Sequence, residues 1–123
     1  MHRSMMQVYV KRSDKALEFY QEAFDAKVMC AYPNDDGTYM HSELDVYGQI
    51  FAISEENPDT VTGNRMQFCL NFENGEKDKV TKAYDVLIEG AEKIDYPLGP
   101  CSYSPHMASL IDKFGVFWCI FTE

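Results

Sequence analysis

The chain has 123 residues, 46% of them hydrophobic, and a formal net charge of -9. That length suits one ordinary core rather than two independent domains, and the acidic excess opposes binding to phosphate backbones or anionic membranes. No apolar run reaches the roughly 18 residues of a membrane span, and the opening MHRSMMQVYV lacks the apolar stretch and cleavage site of a secretory signal. A cytoplasmic domain with neither nucleic-acid nor membrane partner is therefore expected.

Residues 6–10 alternate as a strand does, with one apolar and one mixed face. A helix is expected next, with Ser13 or Asp14 as its cap and Ala16, Leu17, Tyr20, Ala23 and Phe24 as an apolar stripe at spacings of three and four. Lys11, Arg12 and Lys15, the one basic cluster, read as the solvated side of that helix start. Extended stretches follow at 27–32, 39–46 and 49–54, the last two joined at Tyr47-Gly48, where glycine can take the positive φ of a tight turn. The same succession then recurs: a strand at 66–72, and a helix capped by Asn74, striped by Val80, Ala83, Tyr84 and Leu87 and ended at Gly90. Strands at 93–96, 106–111 and 116–121 complete it, with Phe114-Gly115 at the final turn.

The recurrence extends to residue identity. Residues 41–56 read HSELDVYGQIFAISEE and residues 108–123 read ASLIDKFGVFWCIFTE, so that an offset of 67 matches Ser42 with Ser109, Asp45 with Asp112, Gly48 with Gly115 and Phe51 with Trp118. Met6-Gln7 matches Met66-Gln67 at an offset of 60, and the growing offset is what loop insertions produce. The expected fold is α+β: two βαβββ modules, approximately 1–59 and 60–123 of a single domain, forming a cupped eight-stranded sheet with the helices on its outer face. A helix covers only one face of each sheet, so the other face must meet the second module, another subunit or a ligand.

This doubled unit resembles the vicinal oxygen chelate superfamily, which includes glyoxalase I, extradiol dioxygenases and bleomycin resistance proteins, and the resemblance covers essentially the whole chain. Within it, the PhnB-like branch is similar in three places. Ala16-Leu17-Glu18-Phe19-Tyr20 with Phe24 resembles its first helix, Met40-His41-Ser42-Glu43-Leu44 resembles its MHAEL strand, and Asp112-Lys113-Phe114-Gly115 with Trp118 resembles its closing DPFG…W segment. Metal-dependent members of the superfamily bind a divalent ion through His or Gln on a first strand and Glu on a last strand of each unit, and the ion polarises substrate oxygens or ionises water. The resemblance puts Ala52 and Cys119 at the two Glu positions, and puts the first-strand positions near Met5 or Gln7 and near Gln67. Two amides and a thiol are a poor set for such an ion, so no cofactor and no conventional metal centre are expected.

Candidate chemistry comes with a plainer reading in each case. His41 and Glu43 leave the same face of their strand and Asp45 continues it. A carboxylate beside an imidazole suits a general base, and with His106 the pair can build an unconventional metal site; the alternatives are a polar strand face and an exposed loop histidine. Cys69 and Cys119 are a nucleophile only if a nearby positive charge lowers a thiol pKa, and none is close in sequence, which favours inert packing. The four cysteines form no CxxC pair, so neither disulfides nor structural zinc are expected. Asp45 and Asp112 read as a dyad or, more simply, as caps of the turns that follow them. Tyr9, Tyr103, Phe117, Phe121 and Trp118 supply either an aromatic pocket or ordinary core, while Gln7, Gln67, Cys69, Asn71 and Ser54 make the uncovered face more polar than a core.

The leading functional expectation is a PhnB-like protein that binds a small organic molecule through Gln7, Tyr9, Gln67, Cys69, Tyr103, Phe117 and Cys119, as a homodimer. The alternative is a lyase, isomerase or dioxygenase-like enzyme acting on a small oxygenated substrate, with His41 and Glu43 as its catalytic groups. No GxGxxG loop appears, which argues against the quinone-methyltransferase label that some relatives carry.

Overall fold

The computed structural model describes residues 1–123, which divide into two compact units, Met1–Val61 and Thr62–Glu123. The first unit runs β1 (Met6–Val10), α1 (Ser13–Phe24), β2 (Lys27–Pro33), β3 (Tyr39–Val46) and β4 (Gln49–Glu55). Its strands form a four-stranded sheet in the order β1-β4-β3-β2, with β1 and β4 parallel and the other pairs antiparallel. The second unit repeats the pattern with β5 (Phe68–Phe72), α2 (Lys77–Leu87), β6 (Lys93–Gly99), β7 (Met107–Ile111) and β8 (Phe117–Thr122), in the order β5-β8-β7-β6. Both βαβββ modules are present as expected, and hydrogen bonding groups their eight strands into two sheets of four.

Each helix covers one face of its sheet because its apolar stripe matches every second strand residue. In the first unit Ala16, Leu17, Tyr20, Ala23 and Phe24 are buried, with Leu44, Phe51 and Ile53 fully buried on the strands. The Tyr20 and Phe51 rings meet edge-on at 5.0 Å. Each large apolar side chain buried this way contributes about 1.5–3 kcal/mol. In the second unit Val80, Ala83 and Leu87 are buried together with Leu110, Trp118 and Ile120, and Phe68 meets Trp118 edge-on at 5.5 Å. Trp118 therefore belongs to the helix-covered core and not to an aromatic pocket on the other face.

Helix α1 starts differently from the expectation. Arg12, at φ 59°, is the N-cap, and neither Ser13 nor Asp14 caps the helix with its side chain. The free amides are met from β4: Glu55 accepts from Arg12 N at 3.1 Å, Ser13 N at 2.9 Å and the Ser13 hydroxyl at 2.7 Å. Ser13 Oγ in turn accepts from Tyr39 N at 2.8 Å, tying β3 to the helix start. Helix α2 likewise begins after Glu76 without a side-chain cap, so Asn74 does not have the role expected of it.

The hairpins closing the two modules differ in length. Val46 pairs with Gln49 across Tyr47-Gly48, both at positive φ, as a two-residue type I′ turn requires. Ile111 pairs with Phe117 across five residues. Asp45 and Asp112 both serve these turns. Asp45 accepts from Gly48 N at 2.6 Å, whereas Asp112, fully buried, accepts from Phe114 N, Val116 N and Trp118 Nε1 at 2.9, 3.1 and 2.9 Å. The longer turn also slips the strand register by one residue. Glu43 stands opposite Ala52, and Ser109 stands opposite Cys119, so the structural counterpart of Ser109 is Glu43 and not Ser42.

Candidate functional site

The face of the first sheet away from α1 carries β1 residues Gln7 and Tyr9, β4 residues Ala52 and Ser54, β3 residues His41, Glu43 and Asp45, and β2 residue Cys30, because alternate side chains leave a strand on the same side. Register places four of them in one row. Gln7 pairs with Ala52, Ala52 with Glu43, and Glu43 with Cys30. Gln7 Nε2 donates to Tyr9 Oη at 3.2 Å and to Ser54 Oγ at 3.3 Å, so the amide is held flat along this face.

Glu43 is the charged centre of the row. Its side chain is 7% exposed, and Arg3, from the segment before β1, reaches it with two parallel hydrogen bonds, Nη1 to Oε1 at 2.8 Å and Nη2 to Oε2 at 2.9 Å. Such a fork-to-fork pair is the strongest arrangement open to a guanidinium and a carboxylate. His41 Nε2 lies 2.8 Å from Glu43 Oε2. The Arg3 hydrogen bonds, and after them that of His41, outweigh burial and hold the Glu43 carboxyl down to about 2. Burial, together with the charge of Glu43, pushes the Cys30 thiol up from its ordinary value. Donor atoms of Cys30, His41 and Glu43 all lie within 4.8 Å of one another.

His41 and Glu43 are legible in the sequence by their spacing of two, whereas Arg3 and Cys30 are not legible that way. Cys30 was findable: a hairpin centred between Asp36 and Gly37 in the Asn34-Asp35-Asp36-Gly37-Thr38 turn pairs residue 30 with residue 43. Arg3 left no comparable signal. His106, the third donor expected, lies in the second unit and its Nε2 is hydrogen-bonded to Thr81 Oγ1 at 2.8 Å. Within the first unit, Cys30 lies beside His41 and Glu43.

The open face of the second sheet is built from the remaining candidates. Cys69 pairs with Cys119 and Cys119 with Ser109. Gln67 Nε2 donates to Ser109 Oγ at 3.1 Å, and Ser109 Oγ donates to Asp95 at 3.0 Å. Tyr103 stacks edge-on against Phe121 at 5.3 Å, with its hydroxyl 3.8 Å from Cys119 Sγ. Burial raises the Cys119 thiol to about 11, and the Cys119 contact together with burial raises the Tyr103 hydroxyl to about 12. Both groups are protonated at neutral pH, which leaves Cys119 without nucleophilic character. Phe117 is half-buried on the same strand. Nothing in this unit repeats the charged row, since its positions opposite one another are Cys119, Ser109 and Tyr96 where the first unit has Ala52, Glu43 and Cys30.

A family model described as the Glyoxalase/Bleomycin resistance protein/Dioxygenase superfamily matches residues 3–120. The chain belongs to this superfamily. Among solved structures it is similar to the PhnB protein of Bacillus cereus, at 21% identity and a TM-score of 0.82 over 99% of this chain and 100% of that one. It is also similar to the fosfomycin resistance protein FosX of Listeria monocytogenes, at 15% identity and 0.70 over 100% and 93%, and to TioX of Micromonospora sp. ML1, at 18% and 0.65 over 98% and 95%. These likenesses carry the fold. No curated protein matches the chain closely enough to add a nearer relative.

For superfamily members that use a metal, the ligands sit on the first and last strands of each unit. Here Gln7 pairs with Ala52, and Cys119 pairs with Cys69 and not with the expected Gln67, which precedes Cys69 by two residues and donates to Ser109 Oγ. Alanine offers no donor, and neither imidazole nor carboxylate stands at these positions. Amides and thiols without an imidazole or a carboxylate are a poor set for a divalent ion.

Proposed function

We propose that this chain is a PhnB-like member of the superfamily that binds a small organic molecule on the open faces of its sheets without the family's usual metal. The observation that carries this reading is the row Gln7, Ala52, Glu43 and Cys30. The one carboxylate on it stands on β3, already neutralised by Arg3, and the last-strand position holds alanine. Around the row lie directed polar groups with an aromatic partner, Gln7, Ser54, His41 and Tyr9, the composition that ligand sites favour. On the second unit, Tyr103, Phe117 and Phe121 supply apolar contact, with Gln67 and Cys69 beside them.

The test is thermal unfolding of chelator-treated protein against a panel of small compounds that includes phosphonates, quinones and bleomycin. A compound present at 100 times its Kd stabilises the native state by about 2.7 kcal/mol. At least one compound should raise the midpoint without added ion, and Gln7→Ala or Tyr9→Ala should shrink that rise. Binding that appears only once a divalent ion is added would overturn the reading.

A second reading rests on one observation, the 2.8 Å contact between His41 Nε2 and Glu43 Oε2. A carboxylate held ionised orients an imidazole and fixes its tautomer, leaving Nδ1 to take a proton from a bound substrate. In that arrangement His41 is the base and Glu43 positions it, since a carboxyl held down to about 2 is a poor proton acceptor. Turnover of an oxygenated substrate that is lost in His41→Ala and slowed in Glu43→Gln would establish this enzyme reading.

A further inference from the structure

The superfamily's metal positions are on first and last strands, but the first unit carries a different cluster on its two other strands. Cys30 on β2 and His41 and Glu43 on β3 present one sulfur, one nitrogen and one oxygen donor within 4.8 Å of one another. Zinc-type bonds of about 2.0–2.3 Å set the donors of a tetrahedral ion about 3.3–3.8 Å apart, so small side-chain rotations close the set. Cys30 and Glu43 are directly paired across the β2–β3 ladder, and His41 leaves the same face of β3 two residues from Glu43. Glu43 is buried and both Cys30 and His41 are half-buried, which partly excludes water while leaving a path of entry. We propose that Cys30, His41 and Glu43 form a site for a borderline-soft divalent ion of the zinc class, with water completing the coordination.

The donor types select that class. A thiolate with an imidazole suits Zn²⁺ or Co²⁺ and not Mg²⁺ or Ca²⁺, and three protein ligands completed by water is the pattern of catalytic rather than structural zinc. The proton balance is simple. The ion bonds to Cys30 Sγ and the thiol proton leaves to solvent. At His41 the ion takes Nε2, the ring proton moves to Nδ1, and the hydrogen bond to Glu43 Oε2 gives way to two bonds to the ion. Arg3 keeps its bond to Oε1 and stays close as a positive charge. One proton is released per ion, so uptake strengthens as pH rises. Arg3 opposes the ion by like-charge repulsion and by competing for Glu43, which makes it a regulator of affinity rather than a ligand. This inference does not depend on the small-molecule reading, which concerns the family's usual metal positions.

The probe is Co²⁺ added to reduced, chelator-treated protein. A thiolate ligand gives a sulfur-to-cobalt charge-transfer band in the near ultraviolet, and tetrahedral coordination gives strong visible bands. One equivalent per chain should produce both, Zn²⁺ should erase them, and Cys30→Ser or His41→Ala should abolish them. Cys69→Ser, Cys101→Ser and Cys119→Ser should leave them intact. Arg3→Ala should tighten Co²⁺ binding about tenfold. Circular dichroism of each variant confirms that it is folded before titration. Absence of the charge-transfer band in the wild-type chain, or its survival in folded Cys30→Ser, would overturn the proposal.

Discussion

Replacing Glu43 by Gln removes a charge while keeping shape, and its cost follows from the site's geometry. The Glu43 carboxyl is held at about 2 against an ordinary value of 4.5, a displacement worth at most about 3 kcal/mol at 1.36 kcal/mol per unit. Arg3 is 45% exposed, so solvent screening brings the expected loss nearer to about 2 kcal/mol. The sign is that of a depressed carboxylate: the stabilisation is complete above the unfolded value near 4.5 and is lost as pH falls through about 2. Urea unfolding of both proteins at a series of pH values should show the wild type ahead by about 2 kcal/mol at neutral pH. The gap should narrow below about pH 4.5 and be nearly closed at about pH 2. A gap of the same size at pH 7 and pH 3 would refute the reasoning, because a packing defect does not titrate.

Asp112→Asn should cost about 2–4 kcal/mol, because an amide nitrogen would face Trp118 Nε1, a donor against a donor in a fully buried site. Urea unfolding followed by the fluorescence of Trp118, the chain's single tryptophan, measures it. Glu55→Ala should cost about 1–2 kcal/mol by exposing the first amides of α1, with hydrogen exchange accelerating at Arg12, Ser13 and their neighbours and not across α2. Alkylation at about pH 8 should modify exposed Cys69 first and spare Cys119, whose thiol is buried and raised to about 11; mass spectrometry of the labelled peptides reads the order.

Much of the architecture was legible because two periodicities were. The strands Met6–Val10 and Tyr39–Val46 fall on the expected residues, and the α1 stripe is buried whole, whereas in α2 Val80, Ala83 and Leu87 are buried but Tyr84 is half-buried and Val86 joins the core in its place. What escaped was long-range or depended on register. A cap supplied by Glu55 to Arg12 and Ser13 spans more than 40 residues, and a rule that looks for Ser or Asp at the helix start cannot see it. Matching Ser42 to Ser109 by identity followed similarity of side chain, whereas the five-residue second turn shifts the pairing by one and so changes which residues share a face. The site was half visible. His41 and Glu43 announced themselves by a spacing of two, and Cys30 needed the hairpin centre to be located first. Arg3, in a segment without periodicity, is joined to Glu43 only by the reach of its side chain.

The most direct measurement takes the first compound to stabilise the chelator-treated chain and follows its titration residue by residue in NMR spectra. The largest shifts should fall on Gln7, Tyr9 and His41, on the open face of the first sheet, while the solvent-facing residues of α1 stay unmoved. Shifts confined to the helix surfaces, or none until a divalent ion is added, would contradict the proposed metal-free binding.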